Sequence, residues 1–140
     1  MKLSKKSVLA IESMVLIKAA DKPISVKTLS EARHTTPKYL EQVIASLRQN
    51  DLIQATSGKN GGYSCVRDDI NCKDIIIAIE YEIKPVHCID EVCPRKQSCY
   101  TYPLWCSLQQ VIYDSLANVS LLELVTAYRK GAFDEINYQI

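Results

Sequence analysis

Apolar residues recur at helical spacing along most of the chain. Residues 5–20 carry Val8, Leu9, Ile11, Val15, Leu16 and Ala19 on more than one face. That pattern predicts a helix packed against several partners and ended by Asp21-Lys22-Pro23. A short helix follows, with Ser25 as N-cap and Val26, Leu29 and Ala32 in register. After the polar stretch Arg33-His34-Thr35, a third helix opens on Thr36 as N-cap and Pro37 at its first position. Leu40, Val43, Ile44 and Leu47 form its apolar stripe, opposite Lys38, Glu41, Gln42 and Arg48. Two helices joined by a short polar turn, the second with a polar outward face, predict a helix-turn-helix; the plain alternative is a helical hairpin.

The period then changes. Residues 52–55 and 63–66 read as two short strands around Thr56-Ser57-Gly58-Lys59-Asn60-Gly61-Gly62, where three of the four glycines sit. Gly61-Gly62 supplies the positive φ that a tight hairpin tip asks for. A hairpin directly after a helix-turn-helix is a winged helix, and Lys59 and Asn60 at its tip are placed to reach phosphates or a minor groove. Asn71 caps the next helix, with Asp74 three residues on in a capping box and Ile75, Ile76 and Ile79 as its apolar face. Residues 83–103 have no period and hold three prolines, and a stretch that long without structure is often functional. From Leu104 the helical period returns through Leu108, Val111, Ile112, Leu116 and Val119. This long striped helix is expected to dimerise the protein, as helix-turn-helix proteins commonly do.

The expected fold is therefore mostly α with a small β-hairpin: a winged helix-turn-helix plus a long C-terminal dimerisation helix. The organisation is a DNA-binding domain over 1–80, a cysteine-rich sensor loop over 81–103, a dimerisation helix and short apolar segment over 104–125, and a fraying tail over 126–140.

Composition agrees with a soluble globular chain: 140 residues, 47% hydrophobic and 24% charged. No apolar run is long enough to cross a bilayer, and Glu12 interrupts the first apolar segment with no small-residue cleavage site after it. A cytoplasmic protein without a membrane partner is expected. Net charge is +1, but residues 1–62 hold ten Lys/Arg against five Asp/Glu, and residues 63–140 seven against eleven. The basic half points to a polyanion partner, with ordinary scatter of charge as the plain alternative, and the helix-turn-helix makes double-stranded DNA the expected polyanion. With two histidines, no Ser-His-Asp arrangement and no phosphate loop, an enzyme is not expected.

Six cysteines are present, four of them spaced Cys88-x4-Cys93-x5-Cys99-x6-Cys106. Without an export signal, such clustering reads as a metal or redox site. It is not the paired C-x2-C of a zinc ribbon, and its wide, nearly even spacing suits a loop wrapped around a cluster; thiolate ligands select iron–sulfur, zinc or copper(I), and the expected cofactor is an iron–sulfur cluster, [2Fe–2S] or [4Fe–4S], of a kind easily lost in purification. Cys88, Cys93 and Cys99 are the candidate ligands. Candidates for a fourth are Cys106, His87, Tyr102, and His34 or Glu12 reaching from another part of a dimer. Cys65 and Cys72 read as small core residues.

Lys38-Tyr39-Leu40-Glu41-Gln42-Val43-Ile44, then Leu47-Arg48-Gln49-Asn50-Asp51-Leu52-Ile53, then Gly58-Lys59-Asn60-Gly61-Gly62-Tyr63 resemble the bacterial winged-helix regulators typified by IscR, NsrR and CymR. Their pattern is a Tyr-Leu-Glu-Gln helix, Leu-Arg-x-x-Gly-Leu-(Val/Ile) and a Gly-Gly-Tyr wing. The opening Met1-Lys2-Leu3-Ser4, the three-cysteine loop before Leu104-Trp105 and a Ser-Leu-x-Glu-Leu ending extend the resemblance over roughly residues 1–125. It implies a dimeric transcription factor with the helix from Pro37 in the major groove. It also implies that Cys88, Cys93 and Cys99 ligate a cluster in members sensing iron–sulfur status, nitric oxide or redox stress.

Four departures stand out. The first cysteine interval is one residue short. Tyr102 stands where the IscR type has histidine, Val8 where the nitric-oxide sensors have aspartate, and Ser57 where an arginine commonly precedes the wing glycine. The fourth ligand thus stays open.

The functional expectation is a DNA-binding regulator whose affinity is switched by an iron–sulfur cluster. The alternatives are a metal-free thiol–disulfide switch and a protein-interaction module with weak DNA binding. Expected DNA contacts are Thr36, Lys38, Tyr39, Glu41 and Gln42 from the third helix, with Lys59 and Asn60 from the wing.

Overall fold

A computed structural model describes residues 2–89 and 93–138 of the chain, the stretch 132–138 by its backbone. Helix α1 (Lys5–Ala19) is the hub. Ser4 caps it by accepting the Ser7 N–H, and Leu9, Ala10, Met14, Val15 and Ile17 are buried on it. This burial on several sides is what the sequence predicts. Helix α2 (Val26–Ala32) starts where Ser25 Oγ accepts the Thr28 N–H, and α3 (Pro37–Gln49) where Thr36 Oγ1 accepts the Tyr39 N–H, with Pro37 in the first turn. Each cap satisfies a donor that the helix leaves orphaned. The stripe Leu40, Val43, Ile44 and Leu47 is fully buried against α1 and its neighbours. Burying side chains of this size stabilises by roughly 1.5–3 kcal/mol each.

Strands β1 (Ile53–Thr56) and β2 (Gly62–Cys65) pair antiparallel, Ile53 opposite Cys65 and Thr56 opposite Gly62. Both lie one residue from their expected positions. Ile24 adds a bridge on the outer edge of β2, donating to Tyr63 O at 3.1 Å and accepting the Tyr63 N–H at 2.8 Å. Positive φ falls at Gly58 (106°) and Gly62 (154°) rather than at the Gly61-Gly62 pair. Gly61 is needed for a different reason: a Cβ there would lie 2.2 Å from the Thr56 carbonyl oxygen.

Helix α4 (Cys72–Glu80) carries the expected Asn71–Asp74 capping box. In the described part of the unpatterned stretch, a 3₁₀ turn spans His87–Ile89 and turns lie at 94–98 and 100–101. Helix α5 (Tyr102–Ala117) packs mainly on α4, and none of its residues is buried. Leu104, Leu108 and Val111 are 57%, 40% and 57% exposed, one unpartnered stripe. The elbow after α5 is pinned to the start of α4 by Cys72 N–H to Val119 O and Leu121 N–H to Ile70 O, both 2.9 Å.

Helix α6 (Leu121–Tyr138) corrects the expectation of a fraying tail from residue 126. Ser120 and Glu123 cap it reciprocally, Leu121 and Val125 bury it against α1, and the Arg129 guanidinium donates to Ala19 O at 3.1 Å. The last two residues, 139–140, lie outside the described residues. Among the described residues no helix is long and apolar enough to cross a membrane.

Candidate DNA interface and cysteine loop

The outward face of α3 presents Thr36, Lys38, Glu41 and Gln42, all exposed. Tyr39 differs from expectation in degree: it is half-buried against the core, with Lys6 Nζ 6.0 Å from its ring centre. Lys59 and Asn60 are exposed at the wing tip, central in a turn closed by Gly61 N–H to Gly58 O at 3.1 Å. Between the wing and the start of α2 lies a cavity of about 330 Å³ lined in part by Lys22, Ser25, Thr28, Lys59 and Asn60. Lys22 and Thr28 are members that the sequence reading missed, because they sit apart from any motif and Ser25 reads only as a cap.

Several cations of the basic half are already used. Lys18 pairs with Asp68, and Arg33 with Glu12 at 3.3 Å. Arg48 stacks over Tyr63, 5.9 Å from its ring centre. Lys22, Lys38 and Lys59 make no ion pair among the described residues, so their charges remain available to a polyanion.

The cysteine loop is more open. Cys88 sits exposed in the 3₁₀ turn beside exposed His87. Cys93 and Cys99 are half-buried, bracketing turns closed by Lys96 N–H to Cys93 O and Ser98 N–H to Arg95 O, both 3.0 Å. Cys99 Sγ lies 3.2 Å from Thr101 Oγ1. That hydroxyl first, then the Thr101 and Tyr102 backbone and the Arg95 charge, hold the Cys99 thiol below its ordinary value. Among the other candidates, Cys106 is half-buried in the first turns of α5. His34 is exposed in the helix-turn-helix turn with φ 53°, Tyr102 has Lys96 Nζ 5.1 Å over its ring, and Glu12 is engaged with Arg33. Cys72 is buried and Cys65 half-buried against the core, and burial pushes both thiols up.

Among the described residues, no three His, Cys, Asp or Glu side chains stand together as a metal-holding set. The donors nevertheless fit a soft metal group in kind: three thiols, one exposed and two half-buried, and one of them with its thiolate favoured. Assembly would have to draw the loop together.

A family profile described as "Rrf2: Iron-dependent Transcriptional regulator" matches residues 3–127, from the N-cap region of α1 into α6. The chain belongs to the Rrf2 family. IscR of Xenorhabdus nematophila, a helix-turn-helix transcriptional regulator, is 32% identical over 130 residues, 89% of this chain and 79% of that one. Among solved structures, CymR, the global cysteine regulator of B. subtilis, superposes with a TM-score of 0.74 at 26% identity, covering 91% of this chain and 98% of that one. The oxidised form of Staphylococcus aureus CymR gives 0.68 at 28% identity, covering 89% and 96%. The Rrf2 relatives are transcriptional regulators rather than enzymes, and this chain is a DNA-binding transcriptional regulator of that family. The winged-helix expectation holds: among the described residues there are six α-helices and a two-stranded antiparallel hairpin, and the structural neighbours share the fold.

Proposed function

We propose that this Rrf2-family regulator binds a double-stranded operator as a homodimer, and that the state of a cluster-holding loop sets its affinity. The observation that carries the reading is that Cys88, Cys93 and Cys99 all lie between α4 and α5, with Cys99 three residues before α5 begins. These three thiolates would hold an iron–sulfur cluster, which when bound supplies a redox- and nitric-oxide-sensitive centre. The loop residues would close around it and α5 would move with them, biasing a two-state equilibrium of the DNA-binding unit. The unpartnered stripe Leu104, Leu108 and Val111 supports a second copy as the partner of α5. Gln42 is suited to an adenine edge, Thr36 and Glu41 are exposed beside it with half-buried Tyr39 at the margin, and Lys38 and Lys59 suit phosphates, with Asn60 beside the latter.

The test is an anaerobic visible spectrum with iron and sulfide assays on freshly purified protein, repeated on Cys93→Ala. A coloured wild type and a colourless variant that no longer responds on DNA are expected. Full colour in the variant refutes the ligand assignment. Sedimentation of Leu108→Glu, expected as a monomer, tests the dimer.

A metal-free thiol switch is the second reading, favoured by the Cys99–Thr101 contact and by the likeness to the oxidised CymR structure. Colourless anaerobic protein with oxidant-dependent DNA binding selects it.

A further inference from the structure

The segment Glu80–Ile83 joins the DNA-binding unit to α5, and it is held in an unusual way. Tyr81, at the C-terminal end of α4, has φ 65° and ψ −48°, and the Glu82 N–H donates to the Glu80 carbonyl at 2.7 Å. This is a three-residue turn with a positive central φ, which side-chain-bearing residues rarely adopt and which persists only where the surroundings over-determine it. The Tyr81 side chain does not hold it, being 79% exposed.

Two clamps do. Upstream, the Glu80 carboxylate accepts the Ser4 N–H at 2.8 Å and the hydroxyl of fully buried Ser7 at 2.6 Å, which fixes the start of α1. Downstream, buried Ile83 donates its N–H to Tyr113 Oη at 3.0 Å and accepts Gln109 Nε2 on its carbonyl at 2.7 Å. Both downstream partners lie on α5, and Lys73 of α4 stacks over Tyr113 at 5.1 Å.

We infer that Glu80–Ile83 is the joint through which α5 sets the DNA-binding unit, with Glu80, Gln109 and Tyr113 as its positioning residues. A displacement of α5 pulls on Ile83. The tight turn has no slack to absorb the pull, so Glu80 passes it to the first turn of α1, on which α3, α4 and α6 pack. Only the link to loop state rests on the function proposed above.

Hydrogen exchange of the full-length protein tests the joint directly. Gln109→Ala and Tyr113→Phe should each speed exchange of the amides of residues 4–9, far along the chain, by roughly fivefold, as loss of one hydrogen bond allows. Amides of residues 43–47 in the core should not change, nor should Gln110→Ala, whose residue bonds only Asp114 on its own helix, move either set. Unchanged exchange at residues 4–9 in both variants, or equal acceleration in the core, overturns the joint.

In a second arm, the operator-affinity ratio between cluster-reconstituted and stripped protein should fall toward one in both variants. A ratio kept at the wild-type value also overturns the joint's role. A wild-type ratio of one refutes the sensing proposal instead, and the exchange arm still decides the joint.

Discussion

Replacing Gly62 with alanine tests how the wing is fastened. A Cβ at this position would stand 2.5 Å from both C and O of Ile24 and 2.9 Å from its N, roughly 1 Å inside ordinary contact. Ile24 cannot retreat without giving up its two hydrogen bonds to Tyr63, at 3.1 and 2.8 Å. Each such bond is worth a net 0.5–1.5 kcal/mol or so, so losing both costs about 1–3 kcal/mol. Against a total stability on the order of 5–15 kcal/mol the protein still folds, but with the wing lifted from α2. Urea unfolding followed by far-ultraviolet circular dichroism should show a loss of about 2 kcal/mol. Operator titrations by fluorescence anisotropy should show weaker binding with a shallower salt dependence, because Lys59 and Asn60 move with the wing. Gly58→Ala is the control: its φ is positive but nothing lies within 4 Å, so only a local backbone cost of about 1 kcal/mol is expected. A Gly62→Ala protein within about 0.5 kcal/mol of wild type, binding DNA with the wild-type salt slope, would falsify the fastening.

Three further outcomes are expected. Lys38→Ala and Lys59→Ala should each weaken binding on all duplex sequences and lower the salt slope by about one, and an unchanged slope removes that residue from the phosphate contacts. Thr101→Val should raise the Cys99 thiol and slow its alkylation by iodoacetamide near neutral pH, read residue by residue by mass spectrometry; an equal rate means the hydroxyl does not tune the thiol. Burial opposes ionisation of Glu80, but bonds from the Ser7 hydroxyl and from Ser4 hold its carboxyl below its ordinary 4.5. A depressed carboxyl contributes stability above its unfolded value that is lost as pH falls through the folded one. Glu80→Gln should therefore be less stable than wild type at neutral pH and lose less below about pH 4.5; parallel stability curves refute the bond.

Local chemistry carried most of the sequence reading. Ser25, Thr36 and the Asn71–Asp74 box cap the helices they were expected to cap, since a cap speaks through residues three apart. The wing was visible in its glycines, although which of them takes positive φ depends on Ile24, a partner far along the chain. Glu80 gave no signal, because its partners Ser4 and Ser7 lie more than seventy residues away and polar contacts have no period. The helical course beyond residue 126 escaped notice because Arg129 reaches α1 from across the fold. The cysteines could be counted, but their spacing could not say whether three of them stand together, and among the described residues no such set does.

The bridge between Ile24 and Tyr63 has a consequence for how an operator is measured. It makes the hairpin and the helix-turn-helix one block, so the spacing between Lys59 at one end and Gln42 at the other is settled when the protein folds. The molecule is a fixed-jaw caliper. In the operator complex proposed above, base-pair insertion between the zones assigned to Gln42 and Lys59 should cost affinity, and tolerance for operator variants should come from bending of the DNA.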